Sequence, residues 1–291
     1  YSVIPTGEEI QGNYKVTYKN GDFEITKAEK MTLTPELTGK DAEKVYDGQP
    51  LSGGATASVK EGTTITYSTD DGKTWSETLP SITNVGTLNV KAKAENKNYK
   101  DVTVDYTLTV KHRNVTVTGN NGNKVYGEAD PELTATVAGT LGKDKVKYTV
   151  ARESGEDVGH YSVIPTGEEI QGNYKVTYVA GTLTITAQSI DPGTDPDKPN
   201  PDYTGAKVNN PSDEVYDGKE HKWIPTVTDK ADKKLKVGTD YTVEYSTKNF
   251  KDVGTIDVTI TGIKNYTGKA TRTYSITPKT YTVTTESASK V

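Results

Sequence analysis

The sequence predicts an all-β chain of small tandem modules, and three observations carry that prediction. Apolar and polar residues alternate along run after run, a long string occurs twice unchanged, and three short landmarks recur in one order. The runs include Asn114-Val115-Thr116-Val117-Thr118, Thr103 to Val110, Thr182 to Thr186 and Thr255 to Ile260. Successive side chains of a strand point to opposite faces, so period two marks one buried and one wet face. Gly, Asn and Asp punctuate the runs at Asn20-Gly21, Asp71-Gly72 and Ala180-Gly181, which reads as hairpin chemistry. No stretch shows the period of an amphipathic helix.

The string YSVIPTGEEIQGNYKVTY spans Tyr1 to Tyr18 and again Tyr161 to Tyr178, a period of 161 − 1 = 160 residues. The first landmark is Lys44-Val45-Tyr46-Asp47-Gly48, echoed by Lys124-Val125-Tyr126-Gly127-Glu128 and Glu214-Val215-Tyr216-Asp217-Gly218. The second is Asn84-Val85-Gly86, Asp157-Val158-Gly159 and Asp252-Val253-Gly254. The third is Asn13-Tyr14, Asn98-Tyr99, Asn173-Tyr174 and Asn265-Tyr266. The first landmark advances by 126 − 46 = 80 residues and then by 216 − 126 = 90. The excess falls on the Pro- and Asp-rich stretch Asp191 to Asp202, which has no apolar side chain to contribute to a core and favours an extended spacer.

The expected organisation runs in chain order. Residues 1–27 are the C-terminal half of a repeat, 28–111 a module, 112–187 a second, 188–203 a linker, 204–279 a third module, and 280–291 the first strand of a further repeat. Short strands between turns in units of this size predict immunoglobulin-like β-sandwiches in an elongated array, with β-grasp-like modules as the alternative. The core of 112–187 should contain Val115, Val117, Leu133, Val137, Val146, Tyr148, Ile164, Val176, Leu183 and Ile185.

Composition excludes several function classes. Apolar residues make up 32% of the chain, below the ~45–50% of ordinary globular chains, which suits thin modules burying one face per strand. A net charge of −5 without a basic stripe argues against nucleic acid and anionic membrane as partners. Cysteine is absent, which removes disulfides, thiolate metal sites and thiol nucleophiles. Tyr dominates the aromatics, 19 against 2 Phe and 2 Trp. Ten of those tyrosines sit on recurring positions: Tyr46, Tyr126 and Tyr216; Tyr67, Tyr148 and Tyr245; Tyr14, Tyr99, Tyr174 and Tyr266. An aromatic repeated in every unit reads as packing, and a Gly after the first landmark's Tyr reads as a strand-end turn.

Catalysis finds little to work with. His112, His160 and His221 lack a nucleophile or carboxylate at catalytic spacing, and no phosphate loop, zinc-helix or EF-hand pattern occurs. Glu8-Glu9 and Glu168-Glu169 are adjacent pairs, which a strand would send to opposite faces. Trp75 and Trp223 are candidate sugar-stacking rings weighed against ordinary edge packing. Asp191, Asp195 and Asp197 are a candidate calcium set, disfavoured by the intervening prolines. No motif selects a Lys–Asn pair for an intramolecular amide cross-link. The sequence therefore predicts no catalytic residue, no metal and no cofactor.

The assembled landmarks resemble the MBG (mostly β, glycine-rich) and YDG-type repeats of bacterial surface proteins. Residues 112–187 carry the closer match, through Val125-Tyr126-Gly127, Asp130-Pro131-Glu132-Leu133-Thr134, Gly159-His160-Tyr161, Gly172 to Tyr178 and Gly181 to Ile185. Residues 28–111 and 204–279 carry the Tyr-Asp-Gly variant. The resemblance implies an exported, non-catalytic array, attached to the cell wall of Gram-positive and gut bacteria and serving as a stalk in adhesion. Alternatives are modules that bind a host glycoprotein, polysaccharide or matrix protein directly, and accessory modules of a secreted carbohydrate-active enzyme. Lys279 to Val291 aligns on Arg113 to Val125 at an offset of 291 − 125 = 166. Residues 1–27 are accordingly expected to form a hairpin around Asn20-Gly21 with Val3, Ile10, Val16, Phe23 and Ile25 uncovered. Head-to-tail contact with residues 280–291 of a neighbouring molecule is the expected cover.

Overall fold

The computed structural model describes residues 1–29, 31–35, 41–191 and 206–290, and no helix occurs among them. Without a helix to pack over a mixed sheet, the β-grasp alternative falls away; the modules are all-β and immunoglobulin-like. The chain forms two compact units. One comprises Tyr1–Thr116, Ala138–Lys147 and Glu168–Thr177, and the other Val117–Val137, Tyr148–Gly167 and Tyr178–Val291.

In the first unit, Ala42–Val45, Tyr99–Lys111, Gly86–Asn96 and Thr63–Ser68 form a four-stranded sheet in that spatial order. The long pair Gly86–Asn96 and Tyr99–Lys111 is antiparallel, whereas Ala42–Val45 runs parallel to the last strand, with Leu108 opposite Ala42. A small sheet of Leu33–Pro35 and Ala55–Ala57 supplies a facing layer. Met31, Leu33, Ala55 and Ala57 share one buried cluster with Val90, Ala92, Ala94, Tyr106 and Leu108, which is what period two demands of a sandwich.

In the second unit the same order recurs twice. Gly122–Val125, Gly181–Thr186, Gly159–Thr166 and Thr149–Arg152 form one sheet, and Glu214–Val215, Lys269–Thr277, Gly254–Gly262 and Tyr241–Tyr245 another. Each again sets its first strand parallel to its last. In the third module Val208 and Val227 pack with Ile256, Val258, Ile260, Tyr274 and Ile276. In the first unit Ile170–Gln171 and Tyr174–Val179 form an antiparallel hairpin that pairs Ile170 with Lys175 and Gln171 with Tyr174.

Two glycines explain how 112–187 closes. A Cβ on Gly181 would lie 2.1 Å from the Gly119 carbonyl oxygen, and one on Gly119 would lie 2.4 Å from that of Val163. Only glycine permits that approach. At the first landmark Gly48, Gly127 and Gly218 all have φ near +80° (79°, 81° and 80°), the left-handed turn expected after the Tyr.

Four expectations need correction. First, the tight hairpin of residues 1–27 pairs Ile10 with Lys15, while Ser2–Val3 pairs with Gly21–Asp22. Asn20-Gly21 is not a hairpin turn, because its counterpart Ala180-Gly181 carries the chain from one sheet to another. Second, Ile164 is exposed and Val163 is buried in its place. The run Val163-Ile164 is apolar at both residues, so alternation cannot choose the face; pairing of Val163 with Gly181 does. Leu133, Val137 and Tyr148 are half-buried, and the other six residues expected in that core are buried.

Third, the start of the expected 188–203 linker, residues 188–190, belongs to the third module. Gln188–Ser189 pairs in parallel with Tyr266–Thr267, and Ile190 lies fully buried in the core of the third module. The Pro-rich stretch thus follows the leading strand of that module and lies inside its sequence; most of it, with Asp195 and Asp197, lies outside the described residues. Fourth, Ile10 was placed on a face awaiting cover, but its counterpart Ile170 is 48% exposed where the module is intact. Val3, Phe23 and Ile25 behave as expected: they are exposed, while their counterparts Val163, Leu183 and Ile185 are buried.

Candidate functional site

The three landmarks come together where one module meets the next. Tyr46, Tyr126 and Tyr216 follow the first strand of each main sheet, and each backbone N–H donates to the end of the last strand: to Lys111 O, Thr186 O and Thr277 O at 2.9, 2.8 and 2.9 Å. Gly86, Gly159 and Gly254 open the adjoining strand at that same end, opposite Val110, Ile185 and Ile276. The first two landmarks therefore share the trailing end of every module. The Asn-Tyr landmark lies at the leading end, where the chain arrives. There the N–H groups of Ala28, Arg113 and Gln188 donate to the carbonyls of Asn98, Asn173 and Asn265 at 2.8, 3.0 and 3.0 Å.

Two such joints are filled. In the first unit, Asn173 Oδ1 accepts from the Val85 N–H at 2.8 Å and its Nδ2 donates to Asn84 Oδ1 at 3.1 Å. In the second unit, Asn265 Oδ1 accepts from the Val158 N–H at 2.8 Å and its Nδ2 donates to Asp157 Oδ1 at 2.7 Å. Beside each asparagine the rings meet edge to face: Tyr46 with Tyr174 at 5.7 Å and 89°, Tyr126 with Tyr266 at 5.4 Å and 76°. A carboxylate of the receiving module fixes the second ring. Tyr174 OH donates to Asp144 at 2.5 Å and Tyr266 OH to Asp229 at 3.2 Å. Burial, with Asp229 adding to it, pushes the Tyr266 phenol up, so the hydroxyl stays a donor. The second joint adds an ion pair, Lys230 to Glu128 at 2.5 Å, and the Lys233 ammonium over the Tyr126 ring.

Side-chain bonds of this kind are worth about 0.5–1.5 kcal/mol each and an edge-to-face pair about as much. One joint then supplies about 2–4 kcal/mol, enough to hold tethered neighbours in register and too little to assemble free partners against an association cost of about 4–15 kcal/mol. Sequence reasoning found the asparagines, valines and tyrosines of the joints but not Asp144, Asp229, Lys230 or Lys233, and it assigned every landmark Tyr to module packing. That holds for Tyr67, Tyr148 and Tyr245, whose hydroxyls bond the backbone of Ala55, Ala135 and Trp223 in their own modules. Place along a strand does not separate the two sets, since Tyr245 ends Tyr241–Tyr245 and Tyr148 precedes Thr149–Arg152.

A charged cluster at the first landmark of 112–187 went unnoticed in the sequence. The Lys124 side chain is 3% exposed, and its Nζ donates to Asp130 Oδ1 at 2.7 Å, Glu156 Oε2 at 2.5 Å and Glu128 O at 3.1 Å. Arg152 closes the ring on Asp130 and Glu156. Burial works against the Lys124 ammonium, yet the two carboxylates hold it above the ordinary lysine value. The Arg152 guanidinium, then Lys124, hold Asp130 down to about 2. An amide cross-link needs a neutral amine, and this lysine faces ionised carboxylates, with no asparagine among the partners described for its Nζ.

The other candidates are dispersed. His160 Nδ1 lies 3.1 Å from Thr184 Oγ1, His221 Nε2 lies 2.8 Å from Asp217 in a different module, and His112 is half-buried at the boundary after Lys111. Glu9 and Glu169 each pair with a lysine on the exposed hairpin strand opposite, Lys15 and Lys175. Asp70 accepts from Lys73 N, Thr74 N and Thr74 Oγ1, and Trp75 Nε1 donates to Gly72 O, so the Trp75 ring closes its own turn beneath the Lys93 ammonium. Trp223 packs against the core of 204–279. Among the described residues no group of three or more His, Asp or Glu side chains is placed to hold a metal ion, and no helix is long and apolar enough to cross a membrane.

With the repeated joint in view, comparison with known proteins is informative for one module. Residues 115–184 match the model of the MBG domain (YGX type). The matched stretch contributes residues to both joints. No curated protein matches the chain. Among solved structures, titin domains I67–I69 in an E-to-A mutated variant share 12% identity at a TM-score of 0.31, over 86% of this chain and 98% of that one. Sidekick-1 immunoglobulin domains 1–5 share 13% at 0.21, over 84% and 59%. A Bacteroides ovatus protein, SGBP-B of the mixed-linkage glucan utilization locus in complex with a mixed-linkage heptasaccharide, shares 14% at 0.23, over 86% and 71%. At these scores the likeness fixes neither a module arrangement nor a ligand.

Proposed function

We propose that this chain is a non-catalytic repeat region of a secreted or cell-wall-attached bacterial surface protein. It acts there as a stalk or spacer that serves adhesion. The observation that carries the reading is the joint. The same asparagine clamp and the same edge-to-face tyrosine pair form twice, on modules whose main sheets share one topology. A chain whose repeated residues are spent on coupling one module to the next is built to hold spacing. Contact with a host glycoprotein or polysaccharide then falls to the tip of the array or to domains joined to it.

The test places spin labels on the exposed residues Glu132 and Lys248 of the full chain and measures the distance distribution between them. A narrow distribution that broadens in Asn265→Ala/Tyr126→Ala supports the spacer. A broad distribution in the unaltered chain sinks it. Saturable, specific binding of one polysaccharide by the bare chain on a glycan array moves the function to direct recognition.

A further inference from the structure

The third module carries a trailing end built like the two that are filled. The Tyr216 N–H donates to Thr277 O as Tyr46 and Tyr126 donate to their last strands. Gly254 faces Ile276 in the register of Gly86 with Val110 and Gly159 with Ile185. Val253, the counterpart of Val85 and Val158, is 52% exposed. Asp252 takes one bond on Oδ2, from Asn249 Nδ2 at 2.7 Å. Among the described residues no ring stacks on Tyr216 and no asparagine side chain reaches the Val253 N–H. At the other extreme the leading end of the first module offers the matching half: Asn98 is exposed, and its carbonyl already receives the Ala28 N–H as Asn173 and Asn265 receive theirs.

We propose that Tyr216, Asp252 and Val253 form a docking surface for the Asn-Tyr leading end of a following module of this type, joined in the same chain. Two filled copies define the occupant: an asparagine whose Oδ1 accepts the Val253 N–H and whose Nδ2 donates to Asp252, with a tyrosine edge against the Tyr216 ring. The occupant is a tethered module and not a free second copy. Each joint is only a few polar bonds and one ring pair, whereas a short connection raises the effective concentration to the millimolar range. The inference rests on reading the chain as an array. It fails separately from that reading, because the spin-label experiment reports on a filled joint and the following one on the open surface.

The experiment appends the sequence of residues 126–187 directly after Val291. Lys279 to Val291 then stands in for Arg113 to Val125 and completes a module in register. Amide hydrogen exchange is read at Val253, with Val158 as the internal reference for a filled joint. Exchange at Val253 is expected to slow about tenfold or more against the unextended chain. Alanine in place of the appended asparagine should restore the fast rate. Should the hybrid module fail to fold, a second extension carries residues 112–187 whole, placed after Pro278. Fast exchange at Val253 beside a folded appended module overturns the proposal. So does slow exchange in the unextended chain that grows with protein concentration, since the occupant is then a second copy.

Discussion

Asn265 concentrates the logic of the joint in one side chain. Its amide uses a donor and an acceptor at once, on Asp157 and on the Val158 N–H. Aspartate could accept but not donate, and would meet the Asp157 carboxylate. Asn265→Asp is therefore expected to weaken the coupling more than Asn265→Ala. The alanine variant should cost about 1–2 kcal/mol of stability by denaturant unfolding. A double-mutant cycle on Tyr126→Ala and Tyr266→Ala should return an interaction of about 0.5–1.5 kcal/mol.

Asp130 sets an acid limit on the module of residues 112–187. Its carboxyl is held at about 2 in the fold against an ordinary value of 3.8, by Arg152 and then Lys124. A depressed folded value means the stabilisation is complete above the ordinary range and is lost as pH falls from about 4 towards about 2. Thermal midpoints measured across that window should fall in the unaltered chain and fall less steeply in Asp130→Asn. None of this cluster was legible in sequence. Lys124 and Arg152 are 28 residues apart (152 − 124) and meet only because their strands belong to one sheet.

At the scale of strands, alternation recovered nearly everything that has a dry and a wet face, and it failed where both neighbours are apolar. Val163 and Ile164 are the instance: the inward residue is chosen by pairing with Gly181 and by the Gly119 crossing, neither visible in a period. The same crossing gives a matched test. Gly181→Ala forces a Cβ to 2.1 Å from the Gly119 oxygen, whereas Gly21, its equivalent 160 residues earlier (181 − 21), has nothing within 4 Å. Gly181→Ala should destabilise by about 2–3 kcal/mol, the cost of overpacking, while Gly21→Ala should change the unfolding midpoint little. Asn20-Gly21 misled for a related reason. The dipeptide signals a turn but not whether the chain returns to its own sheet or crosses to another, which depends on strands distant in sequence.

For the whole molecule, the landmarks showed that modules repeat, while the place where one hands over to the next was misjudged. Composition drew the boundary at the Pro-rich stretch, because that stretch cannot enter a core. Gln188–Ser189 and Ile190 lie before it and are already bound to the third module. Cleavage at a protease site engineered between residues 194 and 202 should accordingly leave the two pieces together in gel filtration at neutral pH. Pieces that separate at once would mean that the leading strand and the joint hold too weakly to define the boundary.

The parallel pairing of first and last strands recurs in all three main sheets, at Ala42 with Leu108, Gly122 with Leu183 and Glu214 with Ile276. The leading segments repeat it, since Ala28 bridges Tyr99 and Gln188 pairs with Tyr266 in parallel. When such a chain is pulled from its two ends, neighbouring parallel strands are dragged in opposite directions along their length. Their ladder bonds then share the load in shear and break together, whereas an antiparallel terminal pair would peel open one bond at a time. Tension is met at the strongest angle the sheet offers, in every module through which the pull is transmitted.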